Sequence, residues 1–193
     1  MPRVFSLDAQ GRLEIQPYRG VDILRGENYC LPKMTVLPDS SQALDIGGMA
    51  LEVQAEFAPA GSHTAVEYGL KICCSPDGHE ETTICFNREL HRIEVVRQHS
   101  SLDERVSRQT QGGPLELDEG EGLSLRVYID HSVIEVFANR RAVITCRVYP
   151  TRADSRGVRL FASGGNAVLK WLNAWEMNKI WIDSNASMTI GTN

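Results

Sequence analysis

The sequence has no long apolar run and no surplus of basic residues. Its apolar runs are a handful of residues long, which excludes a membrane-spanning helix. The 193 residues carry 25 acidic and 20 basic side chains, a net charge of −5, so no broad face attracts nucleic acid or an anionic membrane. With 42% hydrophobic residues the chain can bury a core, and it is long enough for one domain or for one domain plus part of another.

The signatures of several enzyme classes are missing as well. There is no GxSxG nucleophile elbow and no HExxH zinc motif. His131 and Ser132 are neighbours, and neighbouring side chains on a strand point apart, so they make a poor base and nucleophile. No metal site or cofactor is predicted; the loop "SPDGHEE", residues 75–81, is a faint candidate for calcium.

Five cysteines, an odd number, match no zinc spacing: Cys30, Cys73, Cys74, Cys85 and Cys146. Free thiols are the favoured interpretation, and a cross-strand pair between Cys74 and Cys85 is the alternative. No secretory signal is visible at the N-terminus. Both observations favour a cytoplasmic location, although a secreted parent enzyme is also compatible with them.

From about Gly48 onward, apolar and polar residues alternate. In "ALEVQAEF", Leu51, Val53 and two later apolar residues share one face, and Glu52, Gln54 and Glu56 share the other. Similar short segments, separated by turns such as "QGGP" and "RADSRG", follow as far as residue 177. The pattern predicts an all-β fold: a two-sheet antiparallel β-sandwich of the jelly-roll, concanavalin-like kind.

Residues 1–46 differ from the rest. "VFSLDAQGRLEIQP" predicts a hairpin around Gln10-Gly11, and "YRGVDILRGE" is the best candidate for a helix. A two-stranded hairpin alone is marginal in water, so this segment needs a surface to pack against. The predicted organisation is residues 1–46 as a hairpin and linker, 47–183 as the sandwich and 184–193 as a loose tail.

The stretch "YIDHSVIEVF", residues 128–137, places two carboxylates close together, as a glycosidase requires. The strand pattern instead predicts a tight hairpin, in which the side chains of Asp130 and Ser132 accept backbone N–H groups at the turn. Glu135 then lies within a strand, on the face opposite Ile134 and Val136.

Three tryptophans lie close together near the end: Trp171, Trp175 and Trp181. Trp171 and Trp175 share a strand parity with Leu169 and Met177. The interpretation is one apolar face that packs in the core or against another domain, with an exposed platform for sugar rings as the alternative.

Several stretches together resemble the C-terminal β-sandwich module of glycoside hydrolase family 32, the β-fructosidases such as invertases and levanases. They are "YIDHSVIEVF", the strand end "RVYP", the closing "AWEMNKIW" and the earlier "GLKICCSPDGHEETTICFNRE". Asp130, Ser132, Glu135, Phe137 and Trp175 are the residues that mark this resemblance. It implies that "PRVFSLDAQGRLEIQPYRGVDILR" ends a catalytic propeller and links it to the sandwich.

The resemblance also implies that catalysis belongs elsewhere. In that family the catalytic carboxylates lie on a five-bladed propeller, in motifs that contain Asp-Pro, Arg-Asp-Pro and Glu-Cys. None of these dipeptides occurs in this sequence, so no catalytic residue can be carried over. The chain alone is therefore not expected to be an enzyme, and its expected partner is the propeller.

Four functions compete at this point. The first is a non-catalytic module that stabilises a β-fructosidase and shapes the rim of its active site or a homodimer interface. The second is a module that binds terminal fructose of sucrose, levan or inulin through the polar face bearing Arg126, Tyr128 and Glu135. The others are a stand-alone lectin-like protein and an independent hydrolase.

Overall fold

The computed structural model describes residues 1–61 and 64–180 and is built almost entirely of β-strands. In these ranges the strands are β1 (Arg3–Leu7), β2 (Leu13–Pro17), β3 (Arg25–Leu31), β4 (Met34–Val36), β5 (Ser40–Gly47), β6 (Ala50–Phe57), β7 (Glu67–Cys74), β8 (Thr82–Asn87), β9 (Arg92–Val96), β10 (Gln111–Pro114), β11 (Ser124–Asp130), β12 (Val133–Ala138), β13 (Ala142–Arg147), β14 (Gly157–Ser163) and β15 (Ala167–Met177). The helical candidate forms a single 3₁₀ helix, Arg19–Leu24. At six residues it is far too short to cross a membrane, and the described ranges contain no helix that could.

Two antiparallel sheets form the sandwich. The six-stranded sheet has the order β10-β9-β8-β7-β14-β5. The seven-stranded sheet has the order β13-β12-β11-β6-β15-β3, with β4 also paired to β15. The all-β, two-sheet prediction is therefore confirmed.

The alternation of the sequence decides which side chains enter the core. Leu51, Val53 and Phe57 on β6 are fully buried between the sheets, as their period-two spacing predicts. Tyr68 from the opposite sheet meets the ring of Phe57 edge-on, with ring centroids 5.3 Å apart, and it packs in the same way on Phe86. Aromatic contacts of this kind add to the free energy gained by removing apolar surface from water.

The sheets begin earlier in the chain than the predicted boundary at residue 47. β3 and β4 pair with β15 in one sheet, and β5 pairs with β14 in the other. Pattern reading missed these strands because their side chains are mostly half-exposed or exposed at sheet edges, so they show little alternation. The tail 184–193 and Trp181 lie outside the described residues.

The last strand corrects the prediction for the tryptophans. A register shift between Leu169 and Trp171 reverses the parity of β15. Leu169 is fully buried and lies opposite Phe57, whereas Trp171 lies opposite Glu56 and is 39% exposed. The tryptophans therefore do not share the core-facing side of Leu169.

All five cysteines are free thiols, and four of them are buried. Cys85 lies opposite Gly69 on β7, so it does not face Cys74 as the alternative disulfide required. Burial raises the pKa of Cys73, Cys74 and Cys85 to about 12, which keeps these thiols protonated and unreactive at neutral pH.

Candidate functional site on the outer face

The face of the seven-stranded sheet that points away from the core is here called the outer face. It carries the polar side chains that alternate with core residues on β6, β11 and β12. Tyr128 sits at its centre, directly opposite Glu52 on one neighbouring strand and Glu135 on the other. Arg126 is two residues along the same strand, so the structure does bring the predicted sugar-binding residues together.

Glu52 is the fully buried carboxylate of this face. Its Oε1 accepts hydrogen bonds from Nε of Arg126, from Arg25 and from Gln54, each at 2.7 Å. Its Oε2 accepts a second bond from Arg25 at 2.8 Å, which makes that pair bidentate. Burial acts to raise the pKa of Glu52, but the hydrogen bonds from Arg25 and Gln54 and the charge of Arg126 outweigh it, so the pKa is lowered.

Two cation–π contacts extend this cluster. The guanidinium of Arg25 lies 4.0 Å from the ring centroid of Trp175, and that of Arg126 lies 5.3 Å from the ring of Tyr128. Tyr128 also packs edge-on against Phe137 at 6.2 Å. Trp175 therefore packs against Arg25, and Phe137 packs against Tyr128, on the same outer face.

Tyr128 is only 5% exposed, and its hydroxyl has no hydrogen-bond partner within the described residues. Burial, and then the negative charge of Glu52, raise the pKa of this phenol. The hydroxyl therefore stays neutral and closed off from solvent.

The N-terminal segment, defined as residues 1–24, covers the outer face. Arg3 donates to Oε2 of Glu135 at 3.0 Å and to Oγ1 of Thr145 at 2.6 Å. The amino group of Met1 pairs with the other oxygen of Glu135. Asp22, in the 3₁₀ helix, accepts a hydrogen bond from Arg126 at 2.6 Å.

These contacts engage two of the three residues that were predicted to bind sugar. Arg126 and Glu135 are ion-paired to residues of the N-terminal segment, and Tyr128 is only 5% exposed. Local alternation could not reveal this because the partners lie more than a hundred residues away in sequence. Glu52, Arg25 and Asp22 were also missed, because their partners lie 27 to 104 residues away in sequence, although the alternation did place Glu52 on the polar side of β6.

The hairpin between β11 and β12 turns at His131 and Ser132. His131 adopts a φ of 52°, and Asp130 pairs with Val133 across the turn. The Asp130 side chain is 82% exposed and contacts Nδ1 of His131 at 3.1 Å, instead of the predicted backbone N–H. The Ser132 carbonyl accepts a hydrogen bond from the Val148 N–H at 2.9 Å.

The loop that was considered for calcium is held by protein donors. Glu80 is fully buried and accepts hydrogen bonds from the backbone N–H groups of Leu102, Thr151 and Arg152 and from the hydroxyls of Thr151 and Ser155. Asp77 pairs with Arg152. In the described part of the chain no three acidic, histidine or cysteine side chains are grouped to hold a metal ion.

Comparison with known proteins identifies the fold and its family. The family described as "Glycosyl hydrolases family 32 C terminal" matches residues 21–176. The chain belongs to glycoside hydrolase family 32, as its C-terminal domain. The resemblance seen in the sequence motifs is thereby confirmed.

Named relatives of this family 32 domain are glycoside hydrolases. The chain is 32% identical to an acid beta-fructofuranosidase of Vicia faba over 94% of its own length, and 29% identical to a levanase of Bacillus subtilis (strain 168), also over 94%. It spans 34% and 27% of those two proteins. Fructan 1-exohydrolase IIa from Cichorium intybus shares the fold, with a TM-score of 0.83 over 92% of this chain and 40% of that one, at 22% identity.

Proposed function

We propose that this family 32 domain is a non-catalytic module of a β-fructosidase, which stabilises a catalytic propeller and shapes its rim. The relatives it matches include a beta-fructofuranosidase and a levanase, and the chain spans about a third of the length of these two. The outer-face carboxylates are occupied: Glu52 by two arginines and Glu135 by Arg3. Neither of these two carboxylates is free to act as the acid or the nucleophile of a glycosidase.

Docking is supported by one edge of the N-terminal hairpin, which pairs with no further strand in the part of the chain that the structure describes. β1 pairs with β2, and all five of its residues are exposed. Phe5 is 63% exposed, Leu7 69% and Leu13 52%. An open strand edge that also displays large apolar side chains favours pairing with another sheet. We infer that residues 1–24 complete a blade of the propeller and link it to the sandwich.

The docking test uses the catalytic domain of the parent enzyme as a separately expressed chain. Mixing the two chains should give a one-to-one complex by analytical ultracentrifugation and raise the Tm of the catalytic domain, because a ligand that binds the native state stabilises it. Phe5→Ser and Leu7→Ser should weaken the complex and leave the Tm of this chain unchanged. Leu90→Ser, at a residue that is 64% exposed elsewhere, is the matched control.

Two outcomes would oppose the docking proposal. One is a complex that the Phe5 and Leu7 variants do not weaken. The other is self-association of this chain through the same edge, which would assign the hairpin to a homodimer. Turnover of sucrose or levan by this chain alone would refute the non-catalytic role.

A further inference from the structure

The turn of the N-terminal hairpin orients a guanidinium group. One carboxylate oxygen of Asp8 accepts hydrogen bonds from the backbone N–H groups of Gln10 and Arg12, at 2.9 and 2.8 Å, as in an Asx turn. The other oxygen accepts a hydrogen bond from Nε of Arg12 at 2.7 Å. Because Nε is held within the turn, the two terminal nitrogens of Arg12 are presented together to a second partner.

That second partner is Asp118, in the loop before β11. Nη1 and Nη2 of Arg12 donate to the two carboxylate oxygens of Asp118 at 3.0 and 2.9 Å, which is the bidentate geometry. Arg141 lies 3.5 Å from the same carboxylate and also pairs with Glu121. The hairpin tip is therefore joined to the loop before β11 and to the turn between β12 and β13.

These residues form a network, here called the tip clamp, in which the sign of the charge alternates: Asp8, Arg12, Asp118, Arg141 and Glu121. A single exposed ion pair contributes little to stability, but bidentate pairs and networks are the exceptions. The side chains of Asp8 and Arg141 are only 14% and 17% exposed, so salt screens this network less than a pair in open solvent.

The rest of the hairpin is held to the sandwich as well. Along β2, the Ile15 N–H donates to the carbonyl of Arg140 at 2.6 Å, and the Arg140 side chain lies 3.4 Å from Glu14. At the hairpin base, Arg3 binds Glu135. The hairpin is thus fastened at its tip, in its middle and at its base, so its direction relative to the sandwich is fixed.

The fastened hairpin turns its other edge outward. All five residues of β1 are exposed, and this is the edge that the proposed function assigns to the propeller. We propose that Arg12 and Asp118 are positioning residues, which set the angle at which a docked propeller meets the sandwich. This inference rests on the proposed function. A hairpin that is held in one direction before docking loses less conformational entropy when it docks, so the tip clamp also strengthens the complex.

The direction of the hairpin can be measured on this chain alone. Residual dipolar couplings of backbone N–H groups report the direction of each bond in a common alignment frame. In the wild type, one frame should fit both residues 3–17 and the strands of the two sheets. Asp118→Asn keeps the shape of the side chain but leaves one terminal nitrogen of Arg12 without an acceptor. The couplings of residues 3–17 should then shrink or require a second frame, while those of the sheets keep their values.

Asp103→Asn is the matched control, because it weakens an ion pair with the exposed Arg105 on another loop. It should leave the couplings of the hairpin and of the sheets unchanged. A wild-type chain that already requires two frames would overturn the proposal. An Asp118→Asn variant whose hairpin and sheets still fit one frame would overturn it too.

A second measurement uses the separately expressed catalytic domain. The Kd of the complex should rise several-fold for Asp118→Asn and should not change for Asp103→Asn. If the wild-type chain forms no complex, docking itself fails, and the proposal fails with it whatever the couplings show. If the complex forms and Asp118→Asn leaves its Kd unchanged, docking stands and the positioning role is refuted.

Discussion

Nε of Arg126 lies 2.7 Å from Oε1 of Glu52, so a charged pair is closed within the sheet beneath the N-terminal segment. Glu52 is fully buried, and Arg25 completes its coordination from β3. Glu52 of β6 therefore links Arg126 of β11 to Arg25, the first residue of β3.

Replacing Glu52 with alanine should lower the free energy of unfolding by about 3–5 kcal/mol, because it leaves two guanidinium groups without their buried partner. The shift in urea midpoint measures this loss. Glu56→Ala is the matched control, since Glu56 lies on the same strand and makes only a 3.5 Å pair with the half-exposed Lys170. Its effect should stay below about 1 kcal/mol. Equal effects of the two substitutions would contradict the assigned role of Glu52.

Acid should remove the stabilisation that Glu80 supplies. Burial acts to raise the pKa of Glu80, but hydrogen bonds from Ser155 and Thr151 outweigh it and lower the pKa from 4.5 to about 2. A carboxylate whose pKa is lowered by folding contributes stability above its unfolded pKa, and this contribution is lost as pH falls from 4.5 toward 2. The difference between wild type and Glu80→Gln, up to about 3 kcal/mol above that range, should therefore shrink as pH falls. Urea midpoints of both proteins across this range provide the measurement; a constant difference would oppose the assignment.

Gly69 should tolerate no side chain. A Cβ at this position would lie 2.2 Å from the carbonyl oxygen of Ile84 on the next strand, and the φ of 154° adds strain. Gly69→Ala should therefore prevent folding or lower the free energy of unfolding by several kcal/mol. Gly113→Ala, where a Cβ meets nothing within 4 Å, is the control and should leave the Tm nearly unchanged.

The covered outer face also predicts the result of a sugar titration. Calorimetry with fructose, sucrose and levan should give no saturable signal at low salt, because Arg126 and Glu135 are paired and Tyr128 is buried. Saturable binding that Arg126→Ala abolishes would restore the hypothesis of a carbohydrate-binding module.

How far the sequence could predict this molecule depends on the range of the interactions. The inward positions of β6 follow from alternation, and the family follows from motifs such as "YIDHSVIEVF". The orientation of the tryptophans on β15 could not be predicted from the sequence, because one register shift reverses the alternation of that strand and leaves no mark in the composition. The contacts between the N-terminal segment and the outer face could not be predicted either, since the pairs Arg3–Glu135 and Asp22–Arg126 join residues far apart in the chain.

β15 occupies a position in the seven-stranded sheet that governs when folding can occur. It pairs with β6 on one side and with β3 and β4 on the other, and it joins Phe57 to Leu169. None of these pairings can form on the ribosome until β15 has left the exit tunnel. Chains dominated by such distant pairings fold slowly. Until β15 is synthesised, the edges of β3, β4 and β6 that pair with it stay unpaired. The nascent domain is therefore most prone to aggregation during this stage of synthesis.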